Sequence, residues 1–260
     1  MSVELFTTTA RKLRDALSVV YAVDKGNPRR PALNGVLLEV GEAGYACTAC
    51  DGYRLAHVDY IPYGLYACEQ FVLDAKECRP LRTALRGLKN SPVTCERGEQ
   101  SVTFRWDTGE WPVATSDTPY PNYRLIVPDN AQLAPYYQGT ILVRQALALL
   151  APCRLECRDY DVTHASLSPR GRGGIDVGGY RSKGGEWHWW ETPLPLELVA
   201  ARPTRFSASV CVHFNHLYDM LKNAPAKSVG LYWGQPGGRL FANLGGGSFA
   251  LIQEGPEHKE

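Results

Sequence analysis

Residues 7–23, TTTARKLRDALSVVYAV, set Ala10, Leu13, Leu17 and Val20 on one stripe of a helix, with Thr7, Thr8 or Thr9 available as the N-cap. The pattern predicts an amphipathic helix. Shorter β-like runs follow, GVLLEV, YACTAC, RLAHVDYI and QFVLDA, punctuated by Gly, Asp-Gly and Pro turns. A second helix is predicted over residues 78–89, CRPLRTALRGLK, with Leu81, Ala84, Leu85 and Leu88 inward. Pro80 is expected in its first turn, where a missing N–H costs least. The strand-like runs PVTCERG, QSVTFRW and WPVATS come next, and then YPNYRLIVP.

Residues 129–140, DNAQLAPYYQGT, are polar, hold Pro and Gly and lack periodicity, so the domain link is expected there, between domains spanning 1–130 and 137–260. The order then restarts. ILVRQALALLAPC is helix-like; DVTHASLSP, GIDVGGYRS, EWHWWETPL and TRFSASVCVHF are strand-like; FNHLYDMLKNA is a further helix; SVGLYW, GRLFANL and SFALIQ are closing strands. Helix, strands, helix, strands, twice over, predicts an α+β fold of two similar domains, each with two helices on one side of antiparallel sheets.

Composition narrows the function classes. The 260 residues are 44% hydrophobic and 21% charged, a globular balance. With 28 Lys and Arg against 27 Asp and Glu, no whole-molecule field draws the protein to nucleic acid or to an anionic membrane. Any basic function must therefore be local. No apolar run is long enough for a membrane helix, and the MSVELFTTTARKL start lacks the order of a signal peptide, so a cytoplasmic protein without membrane contact is expected. Eight scattered cysteines then read as reduced, mostly small core residues.

Four segments carry a resemblance: Leu33-Asn34-Gly35, Asp51-Gly52-Tyr53-Arg54-Leu55-Ala56, Pro121-Asn122-Tyr123-Arg124 and Phe214-Asn215. In order and spacing they resemble the second and third domains of the bacterial DNA polymerase III beta subunit, the sliding clamp, over nearly the whole chain. The first of the family's usual three domains has no counterpart here. Rings of that family contain six such domains, so the resemblance implies a homotrimer around double-stranded DNA. It further implies a non-enzymatic processivity factor that needs no cofactor and holds DNA polymerase and clamp loader through linear peptide motifs.

The family's peptide pocket, carried over residue by residue, comprises Leu33, Cys50, Gly52, Tyr53, Arg54, Leu55, Pro121, Leu125, Ile126, Asn215, Tyr218, Leu251 and Ile252, and would straddle the domain link. An apolar cleft with a few polar groups suits peptide capture, with Arg54 and Asn215 holding the peptide backbone. Three departures bear on its specificity. Cys50 stands where the family commonly has Thr, Leu125 where a basic residue is frequent, and the chain continues past its last strand as QEGPEHKE.

A clamp holds DNA through phosphates and not bases. Arg79, Arg82, Arg86 and Lys89 fall on one flank of the second predicted helix without an intervening carboxylate, and Arg11, Lys12 and Arg14 lie on the outer side of the first. An ordinary solvated face is the alternative reading. The second domain offers fewer cations, Arg144 and Arg154 on one helix and Lys222 on the other, with Arg158, Arg170, Arg172, Arg181 and Lys183 expected from its loops.

Other chemistry is weighed against this. Asp51, His57 and Asp59 suggest a metal-dependent hydrolase, but Asp51 belongs to a turn and no nucleophile accompanies them. Cys47, Cys50, Cys153 and Cys157 suggest a four-thiolate zinc site, but a regular strand sends Cys47 and Cys50 to opposite sides. Trp187 to Trp190, WHWW, reads as packing or subunit contact ahead of a platform for single-stranded bases. The glycines of GRGGIDVGG and LGGGSF read as turns. A clamp-like adaptor that binds partner peptides without encircling DNA is the main alternative function.

Overall fold

The computed structural model describes residues 2–24, 26–62, 67–128, 137–156, 162–170, 174–183, 186–194, 197–200, 209–233 and 239–253. The chain divides into two compact units, Met1–Tyr123 with Gly246–Ser248, and Arg124–Gly245 with Phe249–Glu260. The expected link at 129–140 lies outside the described residues as far as 136, and its last four residues open a strand.

In the first unit the order is β1 Val3–Thr9, α1 Ala10–Ala16, β2 Gly35–Gly41, β3 Gly44–Cys50, β4 Arg54–Asp59, β5 Ala67–Asp74, α2 Ala75–Ala84, β6 Pro92–Arg97, β7 Ser101–Trp106 and β8 Gly109–Ser116. Two antiparallel layers result, ordered β1-β6-β7-β8 and β5-β2-β3-β4. They join only where Val72 and Leu73 of β5 meet Ser116 and Thr115 of β8. Leu13, Leu17, Leu81 and Leu85 from the helical segments pack with Leu38, Leu73 and Phe104 from the sheets, all 0–1% exposed. Burial of these side chains, at about 1.5–3 kcal/mol each, is what holds short helices that would not persist alone.

Two helical expectations are corrected. The first helix does not begin among Thr7 and Thr8, because residues 3–9 pair with β6 from Val3↔Arg97 to Thr9↔Pro92. Thr9 is the cap, its hydroxyl accepting from the Lys12 N–H at 3.3 Å, and after Ala16 the chain tightens to a 3-10 helix over Leu17–Ala22. The second helix begins three residues earlier than expected, because Asp74 caps it by accepting from the Lys76 N–H at 2.8 Å. Pro80 consequently falls in its second turn, inside the helix.

The second unit repeats the plan: β9 Tyr137–Leu142, α3 Val143–Glu156, β10 Val162–Arg170, β11 Gly174–Lys183, β12 Glu186–Leu194, β13 Glu197–Ala200, β14 Val210–His213, α4 Phe214–Asn223, β15 Ser228–Trp233, β16 Arg239–Gly245 and β17 Ser248–Gln253. Its strands run in the orders β12-β11-β10-β14 and β17-β16-β15-β9-β13, and α3 packs against α4. Of the strand expected over 204–214, residues 204–208 lie outside the described residues and Val210–His213 is strand.

Gly178 and Gly179 are not turn residues. They lie inside β11 between β10 and β12, and a Cβ on Gly178 would run into the Trp189 ring while one on Gly179 would run into the His164 carbonyl of β10 and meet the Trp190 ring at 2.7 Å. Their absent side chains make room for the indoles. Trp190 is buried edge-on against Phe214, whereas Trp189 is 53% exposed. Gly245, Gly246 and Gly247 do form a turn, all at positive φ.

Candidate functional site

The Asp51-Gly52 corner joins β3 to β4 and is built largely from local bonds. Asp51 Oδ1 accepts from the N–H groups of Tyr53 and Arg54, both at 2.9 Å, and Oδ2 pairs with Arg54 Nε at 2.9 Å. Gly52 has φ +92°, and the Arg30 guanidinium lies where its side chain would be. Arg30 also donates to the Asp51 carbonyl at 3.0 Å and pairs with Asp24 at 3.3 Å. Sequence reasoning passed over Arg30 because its role depends on a contact 21 residues away.

Arg54 differs from the expected peptide clasp. It is 8% exposed, paired with Asp51 and placed over the Tyr21 ring at 5.5 Å, so its guanidinium holds the corner together. Leu33 and Leu55 are likewise core side chains, and Cys50 is half-buried, its sulfur accepting from the Gly52 N–H. In this unit Tyr53, 63% exposed, and Pro121 offer surface. Tyr123, next to Pro121, turns inward, and its hydroxyl donates to the fully buried Glu39 at 2.6 Å. Gln70 also donates to Glu39, at 3.2 Å. The two residues are 84 positions apart, so no local pattern marks the pair.

In the second unit Leu125 is 82% exposed, Ile126 and Asn215 are exposed, and Leu251 and Ile252 are core residues of β17. Tyr218 is half-buried beneath the Arg154 guanidinium, 4.2 Å from its ring, and Arg154 pairs with Asp219 at 3.3 Å. That ion pair removes Arg154 from the freely presented cations.

The basic residues of the first unit converge. Burial, then the nearby Arg86 and Arg14 guanidiniums, push the Arg82 pKa down, while Asp15 acts in the opposite direction. Arg14, from α1, pairs with Asp15 at 3.0 Å. Packing of α1 against α2 and the 3-10 turn that follows it puts Arg14, Arg82 and Arg86 on neighbouring segments. Arg11, Lys12, Arg79 and Arg86 are exposed, and Lys12 lies over the Tyr60 ring at 5.8 Å. Lys89 departs from the expected stripe: the α-helix ends at Ala84, residues 85–88 form a 3-10 turn, and Lys89 has φ +49° beyond it. Arg144 and Lys222 are exposed on α3 and α4. Arg158 and Arg172 lie outside the described residues, and of the Arg170 side chain nothing is described.

The rival sites look different in three dimensions. Cys47 is fully buried, and burial raises both its pKa and that of Cys50, whose sulfur accepts from the Gly52 N–H. Cys157 lies outside the described residues. His57 is buried, 2.8 Å from the Thr48 hydroxyl and 3.7 Å from Asp59, while Asp51 is engaged in its turn. Among the described residues no group of three His, Cys, Asp or Glu could hold a metal ion, and no helix is long and apolar enough to cross a membrane. A cleft of about 600 Å³ in the first unit, bordered by Asp24, Asn34, Asp74, Lys76 and Ser116, includes only Arg79 of the predicted residues.

The paired βα repeats, two to a unit, define a clamp-type α+β fold. Solved structures bear this out. The chain is similar to the DNA polymerase sliding clamp of Bacillus subtilis, with a TM-score of 0.78 and 17% identity over 98% of this chain and 65% of that one. It is also similar to the beta subunit from DNA polymerase of Streptococcus pyogenes, TM-score 0.76, 13% identity, 97% of this chain and 66% of that one. The DNA polymerase III beta subunit of Thermotoga maritima gives 0.74, 14%, 99% and 66%. The chain has the sliding-clamp fold and spans about two thirds of the length of these neighbours. No family model and no curated protein matches the sequence.

Proposed function

We propose that this protein is a non-enzymatic DNA tether of the sliding-clamp type, acting in the cytoplasm, which assembles as a homotrimeric ring on duplex DNA and recruits a DNA polymerase and its loader through short peptides. The observation that carries the reading is the clamp fold, in which the segments bearing Arg14, Arg82 and Arg86 pack against one another in a chain of nearly neutral charge. A local concentration of guanidiniums from helical segments suits phosphates of any sequence, and the weak whole-molecule charge leaves contact loose enough for sliding. Arg11, Lys12 and Arg79 would extend it within the first unit, and Arg144 and Lys222 would offer cations in the second.

Peptide docking rests on the resemblance together with the exposed Tyr53 of the first unit and the exposed Leu125, Ile126 and Asn215 of the second. Among its strand edges each chain offers β12, which ends a sheet of the second unit, and the Gly109–Ala114 part of β8, which β5 joins only at Thr115 and Ser116. Head-to-tail pairing of unlike edges generates closed rings when the rotation closes.

The test is retention on circular DNA by the wild type and the double variant Arg82→Glu, Arg86→Glu, with solution mass by light scattering. Expected are a particle of three chains of 28.8 kDa each, retention by the wild type, and its loss in the variant with peptide binding intact. A wild type that forms the particle but releases circular and linear DNA equally would refute encirclement and leave the adaptor reading. That second reading is favoured by one observation, the state of the β8 edge.

A further inference from the structure

Antiparallel pairing turns both polar groups of a residue to the same side of a strand, and the side alternates from residue to residue. In β8 the Thr115 N–H reaches the Gln100 carbonyl at 3.0 Å, on the β7 side. Ala114 therefore faces the opposite side, the outer edge, and so do Pro112 and Glu110. Residue 112 has no N–H to offer. The Ala114 N–H is already taken: it donates to the Glu77 carboxylate of α2 at 2.6 Å. Of the three outward positions before β5 joins at Thr115 and Ser116, only Glu110 retains an available amide.

A strand docking on this edge would find three carbonyls and one donor, and at Ala114 it would bring its own carbonyl against a carboxylate. Proline and inward-reaching charge are the devices by which sheet edges resist strand addition. Glu77 is joined to α2, whose opposite end carries Arg82, so the contact links the helix of the basic face to the edge.

We infer that Glu77 is an autoinhibitory contact that, with Pro112, closes the β8 edge to a second copy of this chain and sets the concentration at which copies assemble through it. The inference rests on the ring reading above for the identity of the second copy. Assembly requires Glu77 to release the Ala114 N–H to a carbonyl of the incoming strand. Removing the carboxylate should favour assembly, and giving residue 112 a donor should favour it further.

The experiment is light scattering over a concentration series for the full-length wild type, Glu77→Ala, Pro112→Thr and the double variant, with circular dichroism to verify folding. One recovered hydrogen bond per contact corresponds to a roughly tenfold lower midpoint concentration for Glu77→Ala, and a lower one still for the double variant. Pro112→Thr alone carries the test if Glu77→Ala does not fold. A monomeric wild type with an assembling Glu77→Ala supports the inference, and so does a weakly assembling wild type made tighter. A wild type that assembles with the same midpoint as all three variants overturns the inference and leaves the ring standing. Monomers throughout, in four folded proteins, overturn both.

Discussion

Gly52 bears two separate demands, a φ of +92° that L side chains rarely adopt and the Arg30 guanidinium where a Cβ would lie. Gly52→Ala is expected to destabilise the protein by about 1–3 kcal/mol, read as a lower urea midpoint with unchanged slope. The turn itself was legible, because an Asp-Gly pair between apolar runs is a local signal and Asp51 bonds to residues two and three ahead. Glu39 was not legible, since its partner Tyr123 is 84 residues away and an acidic residue in an apolar strand usually faces water. Burial also sets the response to alkali. It raises the pKa of Tyr60 to about 12, and pushes those of Tyr45, Cys47, Cys78 and Cys95 up as well. These groups ionise more readily unfolded, so the folded state keeps its full advantage below their ordinary values, near 9 for Cys and 10 for Tyr, and loses it as pH rises through and beyond them. Urea midpoints measured from pH 8 to 12 should fall steadily above pH 9.

Elements were easier to find than to delimit. The inward stripe of α2, with Leu81 at 0% exposed, follows from helical period alone. Its start did not, because Asp74 at the end of β5 competes as a cap and wins by bonding the Lys76 N–H. With the helix starting at Ala75, Pro80 removes an interior hydrogen bond to the Lys76 carbonyl, so Pro80→Ala should raise the thermal midpoint, by the equivalent of about 1–3 kcal/mol. Unchanged stability would show that the helix has already adapted around the ring. The helix also ends early, at Ala84, which explains Lys89: a continuous helix would place it on the arginine flank, but a 3-10 turn and a positive φ carry it off. The strands β1, β9 and β13 escaped notice for a different reason: each draws its stability from distant pairing, as Val3–Thr9 does from Pro92–Arg97.

For the whole molecule, charge and assembly are the quantities that bear on function. A tether that works through phosphates loses affinity along a straight line in log salt, with a slope set by the number of phosphates neutralised. DNA retention by the Arg82→Glu, Arg86→Glu variant should therefore be weaker and also less steeply salt-dependent than that of the wild type. What the sequence by itself determined is the local part: the α+β alternation, the Asp-Gly corner, the order of motifs that resembles a sliding clamp, and the candidate cations on helical stripes. These depend on spacing between near neighbours, which the chain states directly. Tertiary structure alone decided which candidates face outward. It buried Arg54, Leu55, Leu251 and Ile252, packed the helix of Arg14 against that of Arg82, seated Trp189 and Trp190 over Gly178 and Gly179, and set Glu77 against the Ala114 N–H. Each of those outcomes depends on pairing between distant segments, where register and burial, and not residue type, choose the partner.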